Sequence, residues 1–113
     1  MDAIVKKLAG FGLPAVVLLI AMSTTGLAGA AALTTALAAL GPFGMLGGIV
    51  LLGFLGLAAD SIAGYGYEEV AKRVVKEQLK TTSKSEMIKN IRKQPITKAM
   101  KLKIIDFVEH IDL

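Results

Sequence analysis

The side chains that could do chemistry in this chain of 113 residues are few and scattered. His110 is the only histidine, and it lies near the C-terminal end of the sequence among acids and apolar residues. A lone histidine in that setting reads as a solvated surface residue, since a base or ligand needs an orienting partner and a cleft. There is no cysteine, which excludes disulfides, thiolate nucleophiles and cysteine metal sites. Asp60 follows a long apolar stretch. An acid inside a membrane would suggest a proton or ion path, but at the end of such a stretch it reads as a boundary residue wetted at the interface. The runs "KSEMIKNIRKQ" and "KAMKLK" are rich in lysine. They lack the aromatics on which bases stack, so a solvated or lipid-facing surface is the better reading and no nucleic acid is expected. No phosphate loop, triad, paired-carboxylate cleft or metal spacing is found, so neither an enzyme nor a cofactor is expected.

The elements that would position these residues are dominated by one feature. From Leu8 to Ala59, 52 residues carry no charged side chain, whereas all 13 Lys and Arg and all nine Asp and Glu lie outside that run. About 20 apolar residues suffice to cross a bilayer. The reading is therefore all-α: an integral-membrane helical hairpin followed by a small C-terminal amphipathic helical region. Residues 1–13 form a short amphipathic N-terminal segment, 14–63 the glycine-rich hairpin with its turn at 41–44, and 64–113 a soluble cytoplasmic helical region. Lys6-Lys7, the following apolar run and Ala28-Gly29-Ala30 imitate a secretory signal. The chain stays apolar for another 29 residues past Ala30, so this segment is expected to be retained.

Pro14 suits a first helical turn, and the chain to Leu40 would make a helix of roughly 40 Å. A kink is expected at Ser23-Thr24-Thr25-Gly26, where hydroxyls can bond back to carbonyls. Gly41 and Pro42 stop that helix, and a second would run from about Met45 to Ala63. A soluble bundle would instead need a shell of amphipathic helices around the apolar pair, with only about 50 residues left to build it. Two helices joined by so short a turn are antiparallel. The basic residues Lys6, Lys7, Lys72 and Arg73 then share one side with Tyr65 and Tyr67, and the positive-inside rule puts both termini in the cytoplasm.

Gly44, Gly48 and Gly56 share a four-residue row on the second helix, while Gly26 and Gly29 lie with Ala30, Ala32 and Ala36 on the first. Rows of small residues let helices approach closely in lipid, so a homo-oligomer is expected.

Three short helices should follow. The first, 68–80, has Val70, Val74, Val75 and Leu79 at helical spacing and could continue the second apolar helix as one rod. Ser83 and Glu86 form a capping box for the next, which presents Met87, Ile88 and Ile91 and ends before Pro95. Thr97 caps the last, whose stripe of Met100, Ile104, Ile105, Val108 and Ile111 is a candidate docking face for a cytoplasmic protein partner.

In composition, residues 8–63 resemble the hydrophobic hairpins of pore-forming toxins and small holins, a likeness of class that implies a hairpin able to enter a bilayer. The expected function is a small self-associating membrane protein that permeates or disrupts a bilayer. The alternative is a membrane adaptor that uses the hairpin as an anchor and binds its partner through 64–113.

Overall fold

Helix α1 (Asp2–Gly10) begins with an acid in its first turn and ends with Lys7 in its last, in keeping with the helix dipole, and it buries Val5 and Leu8. The computed structural model describes residues 2–27, 29–40, 62 and 64–111. After α1 come α2 (Leu13–Ser23), α3 (Gly29–Leu40), α4 (Tyr67–Gln78), α5 (Lys84–Arg92) and α6 (Lys98–Glu109). The described residues are all-helical, with no strand among them.

The centre of the molecule is α2. Every residue from Ala15 to Met22 is buried, so this helix has no wet face. It packs against α1, α3, α4, α5 and α6 alike. A helix that is apolar all round belongs in a core or in a membrane, and here its neighbours supply the core. Each neighbour contributes one stripe: Ala32, Ala36 and Leu40 from α3, Val70, Ala71, Val74 and Val75 from α4, Met87 and Ile91 from α5, and Met100, Ile104, Ile105 and Val108 from α6. No polar or charged side chain is buried among the described residues.

The amphipathic helices α4, α5 and α6, together with α1 and α3, cover α2, which has only 11 residues. The expected helix from Pro14 to Leu40 is in fact two, with residues 24–27 outside both. The hydroxyls of Ser23, Thr24 and Thr25 donate to the carbonyls of Ile20, Ala21 and Met22 at 2.7, 2.8 and 2.9 Å. The same carbonyls also accept the backbone N–H groups of Thr24 and Thr25, which tighten to i−3 partners at Ala21 and Met22, and Gly26 then turns left-handed at φ +72°. The anticipated kink is thus a full break. No single described helix is long and apolar enough to cross a membrane. The rod expected to run into α4 is interrupted too: Tyr65 and Gly66 donate backbone N–H groups to the carbonyl of Ile62, and Gly66 sits at φ +84° before α4 starts.

The C-terminal helices follow their sequence signals closely. The Ser83 hydroxyl accepts from the Glu86 N–H at 3.1 Å, and that of Thr97 accepts from the Met100 N–H at 3.3 Å. Both are side-chain N-caps that satisfy a donor the helix cannot. Helices α4, α5 and α6 all rest on α2.

Candidate functional site

The feature with the clearest potential for function is the apolar helix α2 and the two breaks that confine it. At its N-terminal side, Phe11 and Gly12 donate their N–H groups to the carbonyls of Leu8 and Ala9 at 3.0 Å, closing α1. Gly12 then takes φ +78°, a left-handed backbone that an L side chain resists, and Pro14 falls in the first turn of α2. The two helix axes meet at 119°. By length and composition α1 and α2 together would pass as one membrane span, but this bend folds one against the other. At the C-terminal side the three hydroxyl bonds and Gly26 make the second break. The described part of the apolar sequence is therefore divided into helices of 11 and 12 residues. Each is about 17 Å long, roughly half the 30 Å of a hydrocarbon core.

One long-range polar bond ties the N-terminal break to the shell. The Gln78 side-chain amide donates to the Ala9 carbonyl at 3.2 Å, joining the C-terminal ends of α1 and α4. Ala9, Gly12, Gln78, Thr81 and Asn90 line a small cavity of about 250 Å³ beside this bond. Gln78 has no sequence signature as a partner of α1; only the packing of α1 on α4 brings them together.

The residues singled out in the sequence fall in different places. Lys6 and Lys7 are exposed on α1. Lys72 and Arg73 pair along α4 with Glu68 and Glu69 at 3.4 and 3.2 Å. The Arg73 guanidinium lies 5.1 Å from the centre of the half-exposed Tyr65 ring, a cation–π arrangement. Tyr67 opens α4 and packs partly against the core. Gly29 opens α3, whereas Gly26 lies in the linker and not on a helix face. Gly41, Pro42, Gly44, Gly48, Gly56 and Asp60 are outside the described residues, and so is the turn at 41–44.

The stripe Met100, Ile104, Ile105, Val108 and Ile111 is covered by the chain's own helices, with exposures of 0 to 9%. It forms part of the intramolecular core of the described residues. The exposed apolar side chain on α6 is instead Leu102. His110 is an exposed C-cap whose Nδ1 lies 3.1 Å from the Asp106 carboxylate. Among the described residues no three His, Cys, Asp or Glu side chains gather as a metal site.

No protein-family model matches the chain, and no curated protein or solved structure does so either.

Proposed function

We propose that this chain is a self-associating membrane effector that stores its apolar helices inside a globular form and releases them into a bilayer, which they permeate. The observation that carries this reading is the complete burial of residues 15–22 within a shell of amphipathic helices, joined to the 52-residue charge-free run. Six of those eight residues are Val, Leu, Ile or Met. Exposing them to water costs roughly 1.5–3 kcal/mol each. The sum is comparable with the whole stability of a small domain, about 5–15 kcal/mol. Lipid tails are as apolar as leucine and remove that cost. The stored helix is thus held closed in water and freed where hydrocarbon replaces it. With no buried polar or charged side chain among the described residues, transfer of the core leaves no buried ion or hydrogen-bonded network to break.

Crossing requires that a break straighten. Joined end to end, α1 and α2 would reach about 33 Å, enough for one span. Small residues, including Gly44, Gly48 and Gly56 on the following segment, would supply contacts between released copies. The second reading, a membrane adaptor, draws less support, because the α6 stripe it would use is buried here.

Release of a self-quenched dye from anionic liposomes tests the proposal. Leakage that rises steeply with the protein-to-lipid ratio is expected. Embedding without leakage at any ratio would sink it.

A further inference from the structure

The positive charge of this chain is not spread evenly. Residues 80–103 hold eight of the 13 basic side chains and a single acid, Glu86. In the structure these residues form the end of the α4–α5 connection, where Lys80 pairs with Glu77, then α5, the α5–α6 turn and the first half of α6. The two helices make an antiparallel hairpin, fastened at both ends by lysine. Lys84 donates to the carbonyls of Glu109 and Ile111 at 3.2 and 2.9 Å, and Lys101 donates to that of Arg92 at 2.8 Å. The Lys101 bond places the last turn of α5 beside the first turn of α6. Arg92, Lys93, Lys98 and Lys101 therefore cluster at the turn end, with Lys89 one helical turn before Arg92. The acids Asp106 and Glu109 follow on the second half of α6 and share one groove with Arg92, Leu102 and Lys103.

We infer that this turn end is a docking surface for a bilayer rich in anionic phospholipid. Among the described residues no carboxylate pairs with Lys89, Arg92, Lys93, Lys98 or Lys103, and all five are exposed. Unpaired cations on one end of a molecule are drawn to an anionic leaflet. The second observation is apolar. Leu102 is 58% exposed beside Lys98, Lys101 and Lys103 in the sequence of α6, and with Arg92, Lys103, Ile105, Asp106 and Glu109 it lines a shallow groove of about 530 Å³, at whose margin the unpaired cations of the turn end begin. A leucine flanked by lysines can enter the headgroup layer while the ammonium groups stay with the phosphates. Nucleic acid would need stacking platforms, and residues 80–103 contain no aromatic side chain. The inference rests on the proposed release of α2 for its purpose, because docking would bring the stored helix to the lipid, but its test is separate.

Flotation with vesicles of phosphatidylcholine and phosphatidylglycerol, against phosphatidylcholine alone, measures it. The intact chain is expected to bind the anionic vesicles far more strongly and to lose binding as salt rises. Each cation removed should weaken binding about five-fold. Lys93→Gln with Lys98→Gln should then lose about 25-fold, and Leu102→Ser should lose binding without any change of charge. Lys72→Gln with Lys76→Gln, on α4, should change little, with melting temperatures confirming that all variants fold. Equal losses for the two double variants, or equal binding to both vesicle types, would overturn the docking surface. Tight binding of a short oligonucleotide with no vesicle binding would do the same in favour of nucleic acid. Docking without dye leakage would leave the surface standing and defeat the proposed effector function. Leakage undiminished in the Lys93/Lys98 variant would do the reverse.

Discussion

Helices α2 and α6 are similar in length, and both reach the core, but they do so under different instructions. In α6 the apolar residues recur at helical spacing, so Met100, Ile104 and Val108 point inward while Leu102, Lys103 and Asp106 stay wet. Its own pattern orients it. In α2 every residue from Ala15 to Met22 is apolar and buried, and nothing in the helix says which side should meet which neighbour. Its orientation is set by the five helices around it. An oriented helix loses stability only when its inner stripe is damaged; an unoriented one is vulnerable on every side.

The sharpest way to break this comparison is a truncation series read by urea denaturation. Leu18→Ala and Leu19→Ala lie about 100° apart on α2, and each is expected to cost about 2–5 kcal/mol. On α6, Ile104→Ala should cost a similar amount, whereas Leu102→Ala should stay within about 0.5 kcal/mol. A tolerant face on α2 would show that it is amphipathic in practice and would weaken the case for a stored membrane helix.

The breaks that bound α2 give a smaller effect. An added Cβ at Gly26 meets no atom within 4 Å, and at Gly12 only Pro14 Cδ at 4.0 Å, so space is not the obstacle. Their left-handed backbones are, and Gly12→Ala and Gly26→Ala should each cost about 1–2 kcal/mol. Because a strained break favours straightening, both variants should also leak dye faster than the parent chain. Slower leakage would mean that the breaks are not the elements that release α2.

The smallest effects sharpen the view of α5 and α6. Ser83→Ala and Thr97→Ala each remove one N-cap bond, and about 1 kcal/mol should be lost in each case by thermal melting. Since α2 has no side-chain cap bond and Gly12 as its N-cap, no comparable substitution exists at its start.

These differences also explain what could be read from the sequence. The caps at Ser83 and Thr97, the stop before Pro95 and the inner stripes of α4, α5 and α6 were all legible, because each is a local rule acting within one helix. The break after Ser23 was half legible. Three hydroxyls beside a glycine signal a weak point, but whether the helix bends or ends depends on what packs beyond it. The burial of α2 was not legible. A run of Ala, Val, Leu and Ile has the same pattern in lipid as in a protein core, and only the surrounding helices distinguish the two. For the same reason the stripe on α6 reads in the sequence as a face for a partner, while in the structure it is buried against the chain's own helices. The Gln78 bond to Ala9 crosses 69 positions and follows from tertiary packing alone.

The wholly apolar character of the described core has a thermal consequence. Exposed apolar surface raises the heat capacity of the unfolded chain, and exposed polar surface lowers it. Here unfolding wets Val, Leu, Ile, Met and Ala side chains with no buried polar side chain to offset them. The increment should therefore reach or exceed the usual value of about 12–15 cal/mol/K per residue. A large increment bends the stability curve sharply. Cooling would weaken this fold as surely as heating, leaving a narrow band of temperature in which α2 stays enclosed.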